Sequence, residues 1–267
     1  MDVAVSDWIL ANTGDVDNRN ILRGISIHRG NNHNSCYGGL KMSLDDLPDV
    51  IKQEIINQTE RNRVRVDNRL DVTEVIGCIR KAWFKRKIPK PLSLKSRWYL
   101  YRGNLFDNAW TPLFEKNQMT ITHRLQHIPV VISGRLDFID GDGAVADLKS
   151  TDKLYWIIQK GGKEDNIKQV RFYAWHIPTD KARLYYVSLK DVEKVEVEFT
   201  EDEQLELVKE MELKAELLYN ALKDNCPPAR DERHTDNYWE CKPSKEGEVY
   251  CEFIEECQSG KFNCADR

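Results

Sequence analysis

Residues 134–151 read GRLDFIDGDGAVADLKST and predict a tight β-hairpin. Apolar and polar residues alternate on both sides of the GDG turn at 141–143, which is typical of two half-buried strands joined by a short turn. Alternate residues of a strand face the same side, so Asp147 and Lys149 project together, and Asp137 on the partner strand can point at the same place. The sequence therefore predicts that three ionisable groups converge on one face of a sheet.

Such a convergence has a direct chemical consequence. Two carboxylates this close repel each other unless a cation lies between them, and carboxylate oxygens with room for water suit Mg²⁺ or Mn²⁺. A bound ion of this kind lowers the pKa of a water and neutralises charge on a phosphate oxygen, while a neighbouring lysine stabilises the transition state. The pattern indicates phosphodiester hydrolysis. The alternative is a solvent-facing strand pair with an Asp–Lys ion pair, and spacing alone does not separate the two.

The flanking sequence predicts alternating helices and strands, hence an α/β fold with a sheet of at least four strands. The predicted helices cover 73–87, part of 103–114, 164–177 and 201–224, and the predicted strands cover 126–140, 144–150, 182–189 and 194–200. The last helix has an apolar stripe that we expect to face the core. Its members are Leu205, Val208, Met211, Ala215, Leu218 and Leu222.

Composition sets broad limits on function. The chain has 267 residues, 40 basic and 44 acidic side chains, a net charge of -4 and a mean hydropathy of -0.62. No apolar run approaches the roughly 20 residues of a membrane helix, and the N-terminus lacks the pattern of a secretory signal. We therefore expect a cytoplasmic protein without membrane contact. The acidic average argues weakly against a polyanionic partner, but the local charge distribution below argues for one.

The hairpin and the helix after it resemble the core of the PD-(D/E)xK nucleases, and specifically their RecB-like branch. The pattern G-x-x-D, then (D/E)-x-K, then Q-x-x-x-Y is matched by Asp137, Asp147, Lys149, Gln169 and Tyr173. The resemblance implies a restriction-endonuclease-like core in which the two aspartates bind the metal and the lysine is catalytic. It also implies that the glutamine and tyrosine position the lysine and the DNA backbone. Residues four apart on a helix do share a face.

The same branch carries an upstream G-x-x-x-H whose histidine is a further metal ligand. Here the matching stretch is Gly103-Asn-Leu-Phe-Asp107, so an aspartate stands where the histidine is expected. Asp107 remains a candidate oxygen ligand for Mg²⁺ or Mn²⁺, with a changed metal preference because imidazole suits softer metals better. The alternative is that Asp107 lies on a helix surface and the site is impaired.

Cysteines are concentrated near the end of the chain. A subgroup of the RecB-like branch, which includes the CRISPR-associated exonuclease Cas four, has one cysteine before the nuclease core and three after it, and these hold a [4Fe–4S] cluster. The resemblance implies the same role here for Cys78, Cys241, Cys251 and Cys257. The C-x9-C-x5-C spacing departs from the usual C-x2-C-x5-C, as if a loop were inserted, which costs little entropy. Cys264 is a rival to Cys241, four thiolates would equally bind Zn²⁺, and ordinary reduced thiols are the simplest alternative.

Nine basic residues and no acid lie between positions 80 and 102, interleaved with tryptophan, tyrosine and phenylalanine. Positive charges next to aromatic rings are what a single strand of DNA requires, although a solvated helix face followed by a loop has the same composition. The candidate DNA-binding residues in this segment are Arg80, Lys81, Lys85, Arg86, Arg97 and Arg102.

Together these features predict a partly ordered N-terminal extension over 1–70 and a nuclease domain over 71–267, stapled by Cys78 and the 226–267 tail. The resemblance implies a metal-dependent exonuclease that degrades single-stranded DNA, typically from the 5′ end, and that trims prespacers with the Cas one–Cas two integrase in CRISPR adaptation. Two alternatives remain: a stand-alone repair or recombination nuclease, and a catalytically weak, cluster-bearing DNA-binding subunit.

Overall fold

The computed structural model describes residues 43–60, 65–230, 240–242 and 251–259. Predictions for the first 42 residues and for Cys264 lie outside these ranges. Within them, no helix is both long and apolar enough to cross a membrane.

A six-stranded mixed sheet forms the centre of the fold. The strands run in the order β1-β3-β4-β5-β6, and β2 pairs with β3 beside this path. The pairs β1–β3 and β4–β5 are parallel, and the other three pairs are antiparallel. The strands are β1 Arg69–Asp71, β2 Asn117–Arg124, β3 Val131–Ile139, β4 Val145–Ser150, β5 Ala182–Val187 and β6 Val192–Val197.

The predicted hairpin is confirmed as β3–β4. Phe138 lies opposite Ala146 and Ile139 opposite Val145. The turn closes through a hydrogen bond from the Asp140 N–H to the Ala144 carbonyl, 2.8 Å long. Gly143 has a φ of 86°, which a side chain would strain, so glycine is needed at this point of the turn.

Helices flank the sheet, which confirms the predicted α/β fold class. They are α1 Asp49–Thr59, α2 Val72–Ile76, α3 Ile79–Lys87, α4 Leu94–Trp110, α5 Leu154–Gln159, α6 Glu164–His176, α7 Glu201–Lys223 and α8 Ile254–Gln258. Single 3-10 turns cover Leu44–Asp46 and Thr111–Leu113.

The prediction of one continuous helix over 73–87 is wrong around Cys78, where the chain forms two separate helices. Asp71 begins α2 with a capping box that includes Glu74, and the helix ends at Gly77. Cys78 then begins α3, because its Sγ accepts a hydrogen bond from the Lys81 N–H, 3.3 Å long. The break places the cysteine in extended backbone between two helices rather than on a helix face.

Helix α7 begins and ends close to where the sequence predicts, and Thr200 caps it. The predicted stripe is correct except at its start. Leu205 is exposed, and Gln204 and Leu207 are buried instead. The buried face at the start of the helix therefore includes residues 204 and 207 and excludes Leu205.

Helix α1 lies within the segment that the sequence assigns to the extension. Ile55 is fully buried, and Arg97 on α4 donates to the Ile56 carbonyl and to Thr59 Oγ1, at 3.2 and 3.1 Å. These contacts join α1 to α4. The boundary at residue 70 stays a prediction.

Candidate active site

The three charged residues predicted to converge do meet, at the end of the β3–β4 hairpin ladder. Continuing the register places Asp137 opposite Asp147. The strands diverge here, and Asp137 Oδ2 accepts a hydrogen bond of 2.7 Å from the Leu148 N–H. Lys149 lies two residues beyond Asp147 on the same face, and its Nζ contacts Asp147 Oδ2.

Asp137 and Asp147 share the positive charge of Lys149. Burial and the charge of Asp147 raise the pKa of Asp137 to about 7, although Lys149 and the Leu148 N–H oppose the rise. Asp147 is buried, and its Oδ2 accepts no hydrogen bond of normal geometry apart from its contact with Lys149. A pair of carboxylates in this condition lacks positive charge.

Lys149 stays protonated at this position. Burial would lower the pKa of its ammonium group, but the charges of Asp147 and Asp137 outweigh burial and raise the pKa. The side chain as a whole is 26% exposed, and its Nζ contacts Asp147 Oδ2. Lys149 is thus a fixed positive charge at the edge of the carboxylate pair.

Gln169 and Tyr173 both lie on α6 and face the same site. Gln169 Nε2 donates to Tyr173 Oη at 3.1 Å, and both side chains are buried. Burial raises the pKa of Tyr173 to about 12, and the charges of Asp147 and Asp137 act in the same direction. The phenol is therefore a neutral hydrogen-bonding group beside the aspartates.

Gly134 belongs to this site, although in the sequence it appears only as the first residue of the G-x-x-D motif. A Cβ at residue 134 would lie 2.5 Å from Tyr173 Oη and 2.7 Å from its Cε1. Only a residue without a side chain lets the tyrosine ring pack onto β3 at this point. The G of the GRLD stretch was the available signal, and the need for it appears only when α6 lies on the sheet.

Asp107 is near the carboxylate pair but already has partners. Thr111 Oγ1 donates to Asp107 Oδ1 at 2.6 Å, and Arg135 lies 3.4 Å from Oδ2. Its charge is close enough to raise the pKa of Asp137 slightly, so it faces the same site. Its role as a metal ligand stays a prediction.

The residues present fit a divalent cation of the magnesium type. Within the described ranges, no group of three or more His, Cys, Asp or Glu side chains is arranged to hold a metal ion. Magnesium does not need such a cage, because it keeps several waters and uses one or two carboxylates together with phosphate oxygens. Asp137 and the buried Asp147, whose Oδ2 contacts Lys149, would supply these carboxylates.

The six basic residues proposed to bind DNA each have a partner within the chain. On α3, Arg80 donates to the Pro228 carbonyl, Lys81 pairs with Glu240, Lys85 with Glu252, and Arg86 with Glu74. On α4, Arg97 binds α1 and Arg102 binds Asp152. These contacts join the six residues to other parts of the chain and stabilise the fold. Their role in DNA binding stays a prediction.

Helix α3 is the platform on which the cysteine tail docks. Phe253 stacks on Phe84 with ring centroids 5.7 Å apart, and Lys90 lies 5.0 Å from the Phe253 ring. The Cys251 N–H donates to the Glu240 carbonyl at 2.9 Å, and Glu240 pairs with Lys81 one turn after Cys78. The tail therefore returns to the start of the nuclease core.

This docking brings the four predicted ligand cysteines into one region. The charge of Cys251 adds to burial in raising the pKa of Cys78 to about 12, and Cys251 and Cys257 act likewise on Cys241, whose pKa rises to about 11. In the described part of the chain none of the four forms a disulfide. They are not arranged as ligands of a single metal ion. The iron–sulfur assignment stays a prediction.

The chain is similar to several solved structures. The crystal structure of SSO0001 superposes with a TM-score of 0.51 at 17% identity, covering 79% of this chain and 95% of that one. A phage-related exonuclease from Haemophilus somnus 129PT gives 0.44 at 14% identity, over 59% and 96% of the two chains. An alkaline exonuclease from Laribacter hongkongensis gives 0.42 at 10% identity, over 65% and 95%. The likeness to SSO0001, at 17% identity, shows the fold alone.

Sequence comparison identifies the family. No curated protein sequence gives a significant match. The family model described as the PD-(D/E)XK nuclease superfamily matches residues 53–258, which include the hairpin, α6 and the docked tail. The chain belongs to the PD-(D/E)XK nuclease superfamily.

Proposed function

We propose that the protein is a metal-dependent DNA exonuclease that hydrolyses phosphodiester bonds of single strands in the 5′ to 3′ direction. The observation that carries the proposal is the convergence of Asp137, Asp147 and Lys149 beside Tyr173. Paired buried carboxylates with a neighbouring lysine are suited to displacement at phosphorus, where charge must be stabilised on several oxygens.

Each residue has a part in this mechanism. Asp137 and Asp147 would hold Mg²⁺ or Mn²⁺, with Asp107 as a further oxygen donor. The ion would lower the pKa of the attacking water and neutralise a phosphate oxygen. Lys149 orients that water or stabilises the charge that develops on the phosphate. The buried Gln169–Tyr173 pair fixes the neighbourhood of the lysine and offers a hydrogen bond to the strand.

The nuclease assay tests the proposal. A 5′-labelled single strand with Mn²⁺ should be degraded by the wild type, and Lys149→Ala should lose at least about 100-fold in rate, the usual contribution of a positioned catalytic group. Lys209→Gln, an exposed lysine on α7, is the matched control. Absence of cutting with every divalent metal would favour the catalytically weak binding subunit. The contacts of Asp107 with Thr111 and Arg135 motivate this alternative, because they occupy its carboxylate oxygens.

The biological setting is a separate part of the proposal. A cytoplasmic role in CRISPR adaptation, with the Cas one–Cas two integrase as partner, rests on the resemblance to Cas four, and a stand-alone repair nuclease is its competitor. Co-purification of the tagged protein with the integrase would support the first. A protein that degrades strands but forms no complex with purified integrase, with or without a prespacer, would support the second.

We also propose that Cys78, Cys241, Cys251 and Cys257 hold a [4Fe–4S] cluster. The support is their meeting in one region; the absence of a single-ion arrangement is compatible with the proposal, because a cluster spreads its four thiolates farther apart than one ion does. Anaerobically purified protein should be brown, and Cys78→Ala should bleach it. Colourless, zinc-loaded protein would refute the cluster. Retention of colour in Cys241→Ala but not in Cys264→Ala would show that Cys264, and not Cys241, is the ligand.

A further inference from the structure

Two large aromatic side chains stand on the outer face of α5, the short helix that follows β4. Tyr155 is 66% and Trp156 63% exposed, and their rings form an edge-to-face pair with centroids 5.6 Å apart. Tyrosine and tryptophan bury more apolar area than most side chains when they make contacts. Two adjacent solvent-exposed aromatic side chains therefore indicate a ligand-binding surface.

The aromatic pair is held in place by the rest of the helix. Ile157 is buried, and Leu154 and Ile158 pack against the core. Gln159 Nε2 donates to Tyr155 Oη at 2.5 Å, which orients the phenol. The inner face of α5 therefore fixes the backbone, and the aromatic rings on the outer face are presented by a supported element.

The chain after α5 is fixed as well. Gly161 and Gly162 have φ values of 71° and 113°, which reverse the chain between α5 and α6. Beyond the turn, the Lys163 N–H donates to Tyr186 Oη at 2.9 Å. The turn at Gly161 and Gly162 brings Lys163 near Lys153 and Lys149.

The charges around α5 are positive. Besides burial, the charges of Lys153 and Lys149 lower the pKa of Lys163, so the three ammonium groups lie near one another. No ion pair to Lys153 or Lys163 occurs among the residues that the structure describes. Of the nearby acids, Asp152 binds Arg102, and Asp165 acts on Lys163 less than either lysine does. These cations differ from those of α3 and α4, which have partners within the chain.

We propose that the outer face of α5 binds the unpaired part of the nucleic-acid strand that enters the active site, with Tyr155 and Trp156 stacking on bases and Lys153 and Lys163 contacting phosphates. The substrate class rests on the proposed function. Exposed rings with unpaired cations match a single strand, whose bases offer free faces, better than a duplex, whose bases are already stacked. Tyr155 is six residues from Lys149, a span of at most about 20 Å, or a few nucleotides.

Binding without cleavage tests the aromatic part. In the presence of a chelator, the wild type should bind a labelled single strand about 12 nucleotides long, within the site sizes of such proteins. The Tyr155→Ala/Trp156→Ala variant, which loses two stacking rings, should bind at least roughly 30-fold more weakly in fluorescence anisotropy. Phenylalanine at both positions should restore affinity to within about twofold, because it keeps the stacking faces. Trp175→Ala, an exposed aromatic on α6, should bind like the wild type.

The salt dependence tests the cationic part. Lys153→Gln/Lys163→Gln should reduce the slope of log affinity against log salt by about 1.4, that is about 0.7 per phosphate contact on a single strand. Lys209→Gln should leave the slope unchanged. An alanine variant that binds single strands as tightly as the wild type, or loses duplex and single-strand affinity equally, would overturn the proposal. If the alanine variant does not fold, the salt slope of the lysine variant decides.

The outcomes separate this inference from the nuclease proposal. A protein that binds single strands through α5 but cuts none with Mn²⁺ keeps the inference and refutes the exonuclease. A protein that cuts strands but shows no dependence on Tyr155 or Trp156, in either affinity or KM, keeps the exonuclease and refutes the inference.

Discussion

The Tyr173 ring occupies the space that a side chain at Gly134 would need. A Cβ on residue 134 would lie 2.5 Å from Tyr173 Oη, closer than unbonded heavy atoms approach without displacement. Because Val72 blocks the same space at 2.8 Å, neither strand β3 nor the start of α2 can move aside alone. The glycine and the tyrosine thus depend on each other for their positions.

Gly134→Ala should therefore destabilise the fold by about 1–3 kcal/mol, the usual cost of overpacking, and should displace Tyr173 from the aspartates. Urea unfolding measures the first effect and the rate of strand cleavage the second. Gly141→Ala is the matched control, since nothing lies within 4 Å of a Cβ at that position and its backbone is not strained. Equal stability of the two variants would contradict the packing argument.

Divalent metal should stabilise the protein through the paired aspartates. At a hundredfold excess of Mg²⁺ over its Kd, the wild type should gain about 2.7 kcal/mol, seen as a rise in Tm. Asp147→Asn should lose most of this gain because the buried ligand oxygen pair is neutralised, whereas the exposed Asp180→Asn should keep it. A metal-dependent rise in Tm that survives in Asp147→Asn would place the ion elsewhere.

The partly buried His176 makes stability depend on pH. His176 Nδ1 donates to the Phe172 carbonyl at 2.8 Å, and its Nε2 lies 3.0 Å from His123 Nδ1, which is bridged in turn to Glu212. Burial, and then the charge of His123, lowers the pKa of His176 below 6.5. The folded state binds fewer protons at this site than the unfolded state, so its contribution to stability is present above pH 6.5 and is lost as the pH falls through the lowered pKa.

His176→Gln should flatten that dependence. Between pH 7.5 and pH 5.5 the wild type should lose more free energy of unfolding than the variant, as measured by urea titration at several pH values. His127→Gln, at an exposed position on the loop after β2, should keep the wild-type slope. A variant with the wild-type slope would show that another group titrates.

The docked tail should contribute to the stability of the nuclease unit. Phe253 is 1% exposed and stacks on Phe84, so Phe253→Ala should cost about 3–5 kcal/mol in urea unfolding. Glu255→Ala, an exposed neighbour on α8, should change stability by less than about 0.5 kcal/mol. A neutral Phe253→Ala would mean that the tail adds nothing to the fold.

Local periodicity was sufficient for the hairpin, α6 and α7, and with the motif it placed Asp137, Asp147, Lys149, Gln169 and Tyr173 together. It missed β1, which has three residues, and β2, whose residues are mostly polar and include Gln118 at a φ of 48°. Helix α5 has six residues, too few for a helical pattern to emerge. Strand β1 depends on its pairing with β3, 62 residues later, whereas β2 depends on its pairing with the next strand along the chain.

The basic segment shows a different limit. Its composition suggested a DNA surface, yet Arg86 binds Glu74 and Lys81 binds Glu240, 159 residues later. No local pattern reports whether a cation will find an acid at that separation. The lysines beside α5 were overlooked for the opposite reason: they are spread along the chain and converge only through the turn at Gly161 and Gly162.

The pairing of α3 with the tail also sets an order for biosynthesis. Lys81 and Lys90 find their partners 159 and 162 residues later, so these bonds close only after nearly the whole chain has left the ribosome. Until then Lys81 and Lys90 lack these partners, and the Phe84 ring lacks its stack with Phe253. Contacts of such sequence separation form slowly, and chains with exposed apolar surface aggregate in the interval. A truncated or stalled chain would therefore expose a basic, aggregation-prone helix that the tail covers in the complete protein.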